Sequence, residues 1–195
     1  MLNNKNPLKH FFILIGLIAI NTAAYAENPK ISPAQVLGVV THDWNDDGAF
    51  DRAVLALSTA DDSETELFIY LSDATNNRMQ LALHKKNIAW VGGLWGALPS
   101  ITTNGRGSLI VNVANDSIGR NRWSQKLTIA YRKQVFMVAG YTYMARDTLN
   151  PDYQLDCDVN LLTGRGIKNA KLFQSSTKAM LLSAWSDAAI HKDCQ

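Results

Sequence analysis

Residues 153–161 read YQLDCDVNL, an unbroken alternation of apolar and polar side chains. Successive side chains of an extended chain point to opposite faces. Tyr153, Leu155, Cys157, Val159 and Leu161 therefore share one face, and Gln154, Asp156, Asp158 and Asn160 share the other. Such a segment is stable only when its apolar face is covered, which demands a second layer. The pattern recurs. MQLAL (79–83) alternates, and WSQKLTIAY (123–131) sets Trp123, Leu127, Ile129 and Tyr131 on one side. Short apolar or β-branched runs occupy 36–41, 53–57, 66–71 and 108–113. Lys133-Gln134 separates 123–131 from VFMVAGYTYM (135–144), which predicts an antiparallel hairpin. Roughly nine strand segments at short spacing predict a mainly β chain, an antiparallel sandwich or curled sheet.

Three stretches interrupt the pattern. GGLWGALPSITTNGRG (92–107) holds five glycines and a proline and reads as a loop, with Asn104-Gly105 as a tight turn. Residues 163–166 (TGRG) read as a turn leading into a segment at 167–173. Residues 175–192 admit two readings. One is a short C-terminal helix capped by Ser175 or Ser176, with Leu181, Leu182 and Trp185 on one stripe. The other makes LLSAW (181–185) a further strand.

The N-terminus follows a different logic. Lys5 and Lys9 precede the ten-residue apolar run FFILIGLIAI, and Ala24-Tyr25-Ala26 follows it. A charged start, an apolar middle and an A-x-A end describe a secretory signal peptide over 1–26, with a β-rich domain over 27–195. The apolar run is short for a membrane span. Removing 26 of 195 residues leaves 169, of which 17 are basic and 17 acidic, because Lys5 and Lys9 depart from the 19 basic residues. A near-neutral chain lacks the basic surface that nucleic-acid binding needs. Export to the periplasm or beyond also bears on Cys157 and Cys194. In an oxidising compartment a lone pair of cysteines is expected to bond, and two separate thiols are the other reading.

Residues 42–57, HDWNDDGAFDRAVLAL, crowd four aspartates and an asparagine against an apolar run. Counted from Asp43, Asn45 falls at position 3, Asp47 at 5, Gly48 at 6, Ala49 at 7 and Asp51 at 9. Ca²⁺ takes six to eight oxygens. Alternate side chains at 1, 3 and 5 converge when the chain curls about one ion. Glycine permits the sharp turn at 6, position 7 offers a backbone carbonyl, and position 9 closes the ring. The candidate ligands are therefore Asp43, Asn45, Asp47, Ala49 and Asp51. A metal-free acidic turn is the alternative. An EF-hand would carry Glu at position 12, where this chain has Val54. The nine-residue D-x-N-x-D-G-x-x-D form, running into the strand AVLAL, resembles the calcium loop of FG-GAP/VCBS-type repeats of integrin α-subunit propellers and bacterial secreted proteins. One copy is present. The resemblance implies calcium at 43–51 and a small exported bacterial protein; it implies no activity.

Other chemistry is sparse. His42, His84 and His191 are far apart and lack H-x-x-x-H spacing, and no G-x-S-x-G frame occurs. Asp156 and Asp158 share a strand face, which is a solvated edge or a carboxylate pair for glycoside chemistry. Trp90 and Trp95 flank the glycine-rich loop as core residues or as a sugar- or protein-binding surface. The reading that follows is an exported, calcium-binding, non-catalytic protein of the cell envelope with a protein or glycan partner. Its rival is a hydrolase of cell-wall or carbohydrate polymers whose acidic residues the sequence does not identify.

Overall fold

The computed structural model describes residues 30–59, 63–76, 78–92, 98–186 and 191–194. The stretch proposed as a signal peptide and Trp95 lie outside the described residues. Residues 31–195 form one compact unit. It is mainly β, as the alternation demands, and consists of two antiparallel sheets.

The first sheet is a four-strand meander: β1 (Val36–His42), β2 (Asp51–Leu57), β3 (Glu64–Asp73) and β4 (Arg78–Trp90). The second runs through β5 (Ser100–Thr103), β6 (Leu109–Asn115), β7 (Asn121–Arg132), β8 (Val135–Asp147), β9 (Gln154–Asn160), β10 (Arg165–Lys168) and β11 (Lys171–Gln174), each paired with its neighbour in sequence. The predicted hairpin forms between β7 and β8. Its two-residue turn, Lys133-Gln134, has φ values of 52° and 64°, the left-handed pair that lets a tight hairpin follow the sheet's twist.

The core lies between the sheets. Ala53, Leu55, Leu67 and Ile69 come from the first; Leu109, Val111, Leu127, Ile129, Val138 and Val159 come from the second. Each set follows period two. On β9, Cys157 and Val159 are buried while Asp156, Asp158 and Asn160 are exposed. Tyr153, just before the strand, departs from the pattern and is 51% exposed.

Three expectations are corrected. The glycine-rich stretch is not all loop, because Ser100–Thr103 pairs with β6 and buries Ile101. Three β-branched residues in a row are enough to extend a chain, and the surrounding glycines hide them. The segment 167–173 is not one piece. It folds back at Asn169-Ala170, where φ is 46° and 64°, to pair β10 with β11. Residues 175–186 are not helical. Met180–Leu181 form a two-residue strand, β12, that pairs with Met137 and Val138 of β8, just past the point where β9 leaves the same edge. The open hydrogen-bonding edge of β8 outweighs the helical stripe, and a 3-10 turn at Leu182–Ala184 follows. Among the described residues near the C-terminus, α-helix is found at α1 (His191–Cys194).

The last residues are fastened twice. Cys157 and Cys194 form a disulfide across a separation of 37 residues. Asp193 accepts hydrogen bonds from the hydroxyls of Ser175 and Ser176 and from the Thr177 amide. Burial works against the charge of Asp193, but those donors hold its carboxyl below the usual carboxylate range. A depressed pKa contributes stability that is present above the ordinary carboxylate range and lost as pH falls through the folded value. Protection of the Ser176 and Thr177 amides, taken relative to the intrinsic exchange rate at each pH, is therefore expected to fall as pH drops through and below the ordinary carboxylate range. Asp193→Asn is expected to show the lower protection already at neutral pH. Protection that ignores both pH and the substitution would show that Asp193 does not clamp this segment.

Candidate functional site

The acidic segment links β1 to β2. Strand β1 ends at His42, and β2 begins at Asp51. Between them Gly48 adopts φ +86° and Asp46 φ +58°, so the chain reverses tightly. Side chains stitch the reversal. The Asp43 carboxylate accepts the Asp47 amide at 3.2 Å and the Gly48 amide at 2.9 Å. Asn45 Oδ1 accepts the Asp47 amide at 3.2 Å, and Asn45 Nδ2 donates to Asp47 Oδ2 at 3.0 Å. Asp47 Oδ1 accepts the Ala49 amide at 2.8 Å. Asp43, Asn45 and Asp47 thus gather in one turn. Asp46 is exposed, off the ligand pattern.

Asp51 is placed differently. It is the first residue of β2 on the core-facing side, in step with Ala53 and Leu55, and it is 0% exposed. Its Oδ2 accepts the Trp44 amide at 2.7 Å and its Oδ1 the Ser72 amide at 2.8 Å. One carboxylate thereby ties the start of the loop to the far end of β3. No basic side chain pairs with it among the described residues. Its charge is nevertheless felt: burial, and then Asp51, push the Tyr131 hydroxyl above its ordinary pKa.

Trp44 was not singled out from the sequence. It is 7% exposed, packs edge-on to Phe136 at 5.9 Å between ring centres, and donates Nε1–H to the Gly107 carbonyl at 2.8 Å. An indole inside a run of Asp, Asn and Gly was the available signal, since a solvated turn has no use for one. His42 sits beside it with rings 5.8 Å apart. Gly107, at φ +77°, must be glycine here, because a Cβ would come within 2.2 Å of the His42 ring.

The donor set fits a hard cation in kind: carboxylates at 43, 47 and 51, an amide oxygen at 45 and a backbone carbonyl at Ala49. Among the described residues, no three His, Cys, Asp or Glu side chains converge closely enough to hold a metal by themselves. A site here therefore draws on the Asn45 amide and on backbone oxygen as well.

The loop borders a groove of about 530 Å³ whose walls include His42, Asp43, Arg106, Arg132 and Asp158. A second groove, about 840 Å³, lies over β7–β9 and includes Asp156. Asp156 and Asp158 are thus both solvent-facing and line different grooves. Trp90 is 37% exposed and its ring lies 5.6 Å from that of Trp123, at the start of an aromatic series that continues through Tyr143 and Tyr141 to Trp185. His84 bonds Glu66 at 2.6 Å and stacks on Phe68, and Glu66 also accepts from Ser58 at 3.0 Å. These are buried polar groups satisfied by one another. Among the described residues, no helix is long and apolar enough to cross a membrane. No family model, curated protein or solved structure matches this chain.

Proposed function

We propose that this chain is an exported protein, periplasmic or secreted, that works by binding a partner and carries a structural calcium ion in its 43–51 loop. The observation that carries the calcium reading is Asp51. A carboxylate removed from water is ordinarily paired with a cation or bound to a metal. Asp51 occupies the closing position of a D-x-N-x-D-G-x-x-D loop and has two amides but, among the described residues, no basic partner. The turn that brings Asp43, Asn45 and Asp47 together, and the glycine conformation at 48, support the same reading. They agree with the FG-GAP type of loop. The disulfide supports an oxidising destination. Calcium is a poor Lewis acid beside zinc, so its role here is to hold the β1–β2 connection rather than to activate water.

Calcium at about 10 mM is expected to stabilise the protein by ~1.4–2.7 kcal/mol, given the ~10⁻⁴–10⁻³ M affinities usual for extracellular modules. That corresponds to several degrees in melting temperature. EGTA is expected to reverse the gain, and Asp47→Ala to abolish it. A melting temperature indifferent to calcium, EGTA and Asp47→Ala alike would remove the ion from this account.

A further inference from the structure

The second sheet ends at β11, and among the described residues no strand pairs with its outer side. Residues opposite each other in an antiparallel ladder alternate between bonded and unbonded pairs. The Ser175 amide donates to the Gly164 carbonyl at 2.8 Å, so 166/173 and 168/171 are the next bonded pairs between β10 and β11. Leu172 and Gln174 fall between bonded pairs and turn their N–H and C=O groups away from β10. Such an edge is a template for another strand. Gly166 is opposite buried Val159, and Ile167 is opposite exposed Asp158, so Ile167 and its neighbour Leu172 stand on the outer face. Leu172 is 82% exposed and Ile167 46%. The charge around them has one sign. From Val159 to Ser186 the chain has four basic residues, Arg165, Lys168, Lys171 and Lys178, and no acidic one. Arg165, Lys171 and Lys178 are exposed and belong to no ion pair among the described residues. Asp156 and Asp158 stand on β9, two strands in from the edge, and Asp193 is engaged by the Ser175 and Ser176 hydroxyls.

We infer that β11 is a docking edge for an extended, acidic segment of a partner protein, which adds to the sheet as a further strand. The backbone groups of Leu172 and Gln174 supply the ladder. Side chains alternate along an incoming strand. Apolar residues at every second position cover Leu172 and Ile167, and carboxylates between them meet Lys171 on the other face. The surrounding basic residues favour that negative charge. A second copy of this chain fits less well, because it would set Lys171 and its basic neighbours against their own kind, and like charges on facing strands repel. Lysines on an edge guard against indiscriminate pairing. The same charges admit an acidic strand and turn away a basic one, so discrimination here is electrostatic. This surface deepens the reading of the chain as a binding protein and rests on it.

The test is titration of the full mature chain with the end-capped peptide Glu-Val-Glu-Val-Glu to millimolar concentration, followed by amide NMR shifts. Shifts centred on Lys171, Leu172 and Gln174 are expected. Leu172→Pro removes an outward N–H and no ladder bond, and is expected to weaken binding about fivefold or more. Lys171→Glu/Lys178→Glu is expected to weaken it similarly and to gain binding of Lys-Val-Lys-Val-Lys, which the native chain refuses. Glu-Pro-Glu-Pro-Glu keeps the charge but cannot donate to a ladder, and is expected not to bind. Where Leu172→Pro does not fold, the charge-reversal variant and the native shift map carry the test. Absence of shifts at 171–174, equal binding of the lysine or proline peptide, or affinity unchanged by the variants would overturn the assignment. So would sedimentation of the chain as a dimer that Leu172→Pro dissolves, or preferred binding to phosphatidylglycerol vesicles. Shifts gathered on another surface would sink this edge and leave the chain a binding protein. Titration in EGTA keeps the result separate from the fate of the calcium.

Discussion

Asp51→Ala is expected to destabilise the protein by about 2–5 kcal/mol, because a buried and a part-buried amide donor lose their acceptor together. The Trp44 amide and the Ser72 amide both bond this carboxylate, the first in a buried and the second in a part-buried position. The change leaves the β1–β2 connection without this carboxylate link to β3, held to the core through the Trp44 ring on Phe136 and its Nε1–H bond to Gly107. Asp51→Asn keeps one acceptor and presents an NH₂ to the other donor, so it is expected to cost nearly as much. Asp46→Asn is the control; its side chain is exposed, asparagine tolerates the left-handed backbone there (φ +58°) as aspartate does, and a change within about 0.5 kcal/mol is expected. Urea denaturation in EGTA isolates these effects from calcium. A cost for Asp51→Ala no larger than that of Asp46→Asn would show that the carboxylate does not tie the loop to β3.

Opening the disulfide is the second large effect. Cross-linking residues 37 apart restricts the unfolded chain by about 4 kcal/mol on loop-closure grounds, within a usual range of 2–5. Cys157→Ser/Cys194→Ser is therefore expected to lower the melting temperature by roughly 10 °C. Both cysteines are almost wholly buried, at 0% and 2% exposed. Mild reductant is thus expected to leave the folded protein intact and to act only as denaturant opens it. Alkylation and mass spectrometry against urea concentration read this directly. Labelling of both thiols by reductant and alkylating agent in the absence of urea would contradict it.

Much of this architecture is legible in the residues themselves. The alternations at 123–131 and 153–161 report their buried faces because each strand has one apolar side, and a one-residue slip would expose it. The turn at 133–134 is legible from its position between two such strands. Legibility ends where long-range pairing decides the outcome. Met180–Leu181 follows no strand pattern of its own; it is extended because β8 has an edge to fill. Asn169-Ala170 is a poor turn on paper, as alanine rarely accepts a left-handed conformation, and the ladder between β10 and β11 imposes it. In the candidate loop the gathering of Asp43, Asn45 and Asp47 follows from their spacing. The burial of Asp51 does not, since its depth depends on Ser72, 21 residues away.

Within each sheet, every strand after the first lies next to the one that precedes it in the chain, save for β12, which returns to β8. A polypeptide appearing from its N-terminal end thus always finds its hydrogen-bonding mate already delivered, and assembly can proceed as a succession of hairpins at small loop-closure cost. Only the tail must travel back, so the redox step that joins residue 194 to residue 157 is the natural final latch. A chain truncated before that point would have its sheets complete and its clasp missing.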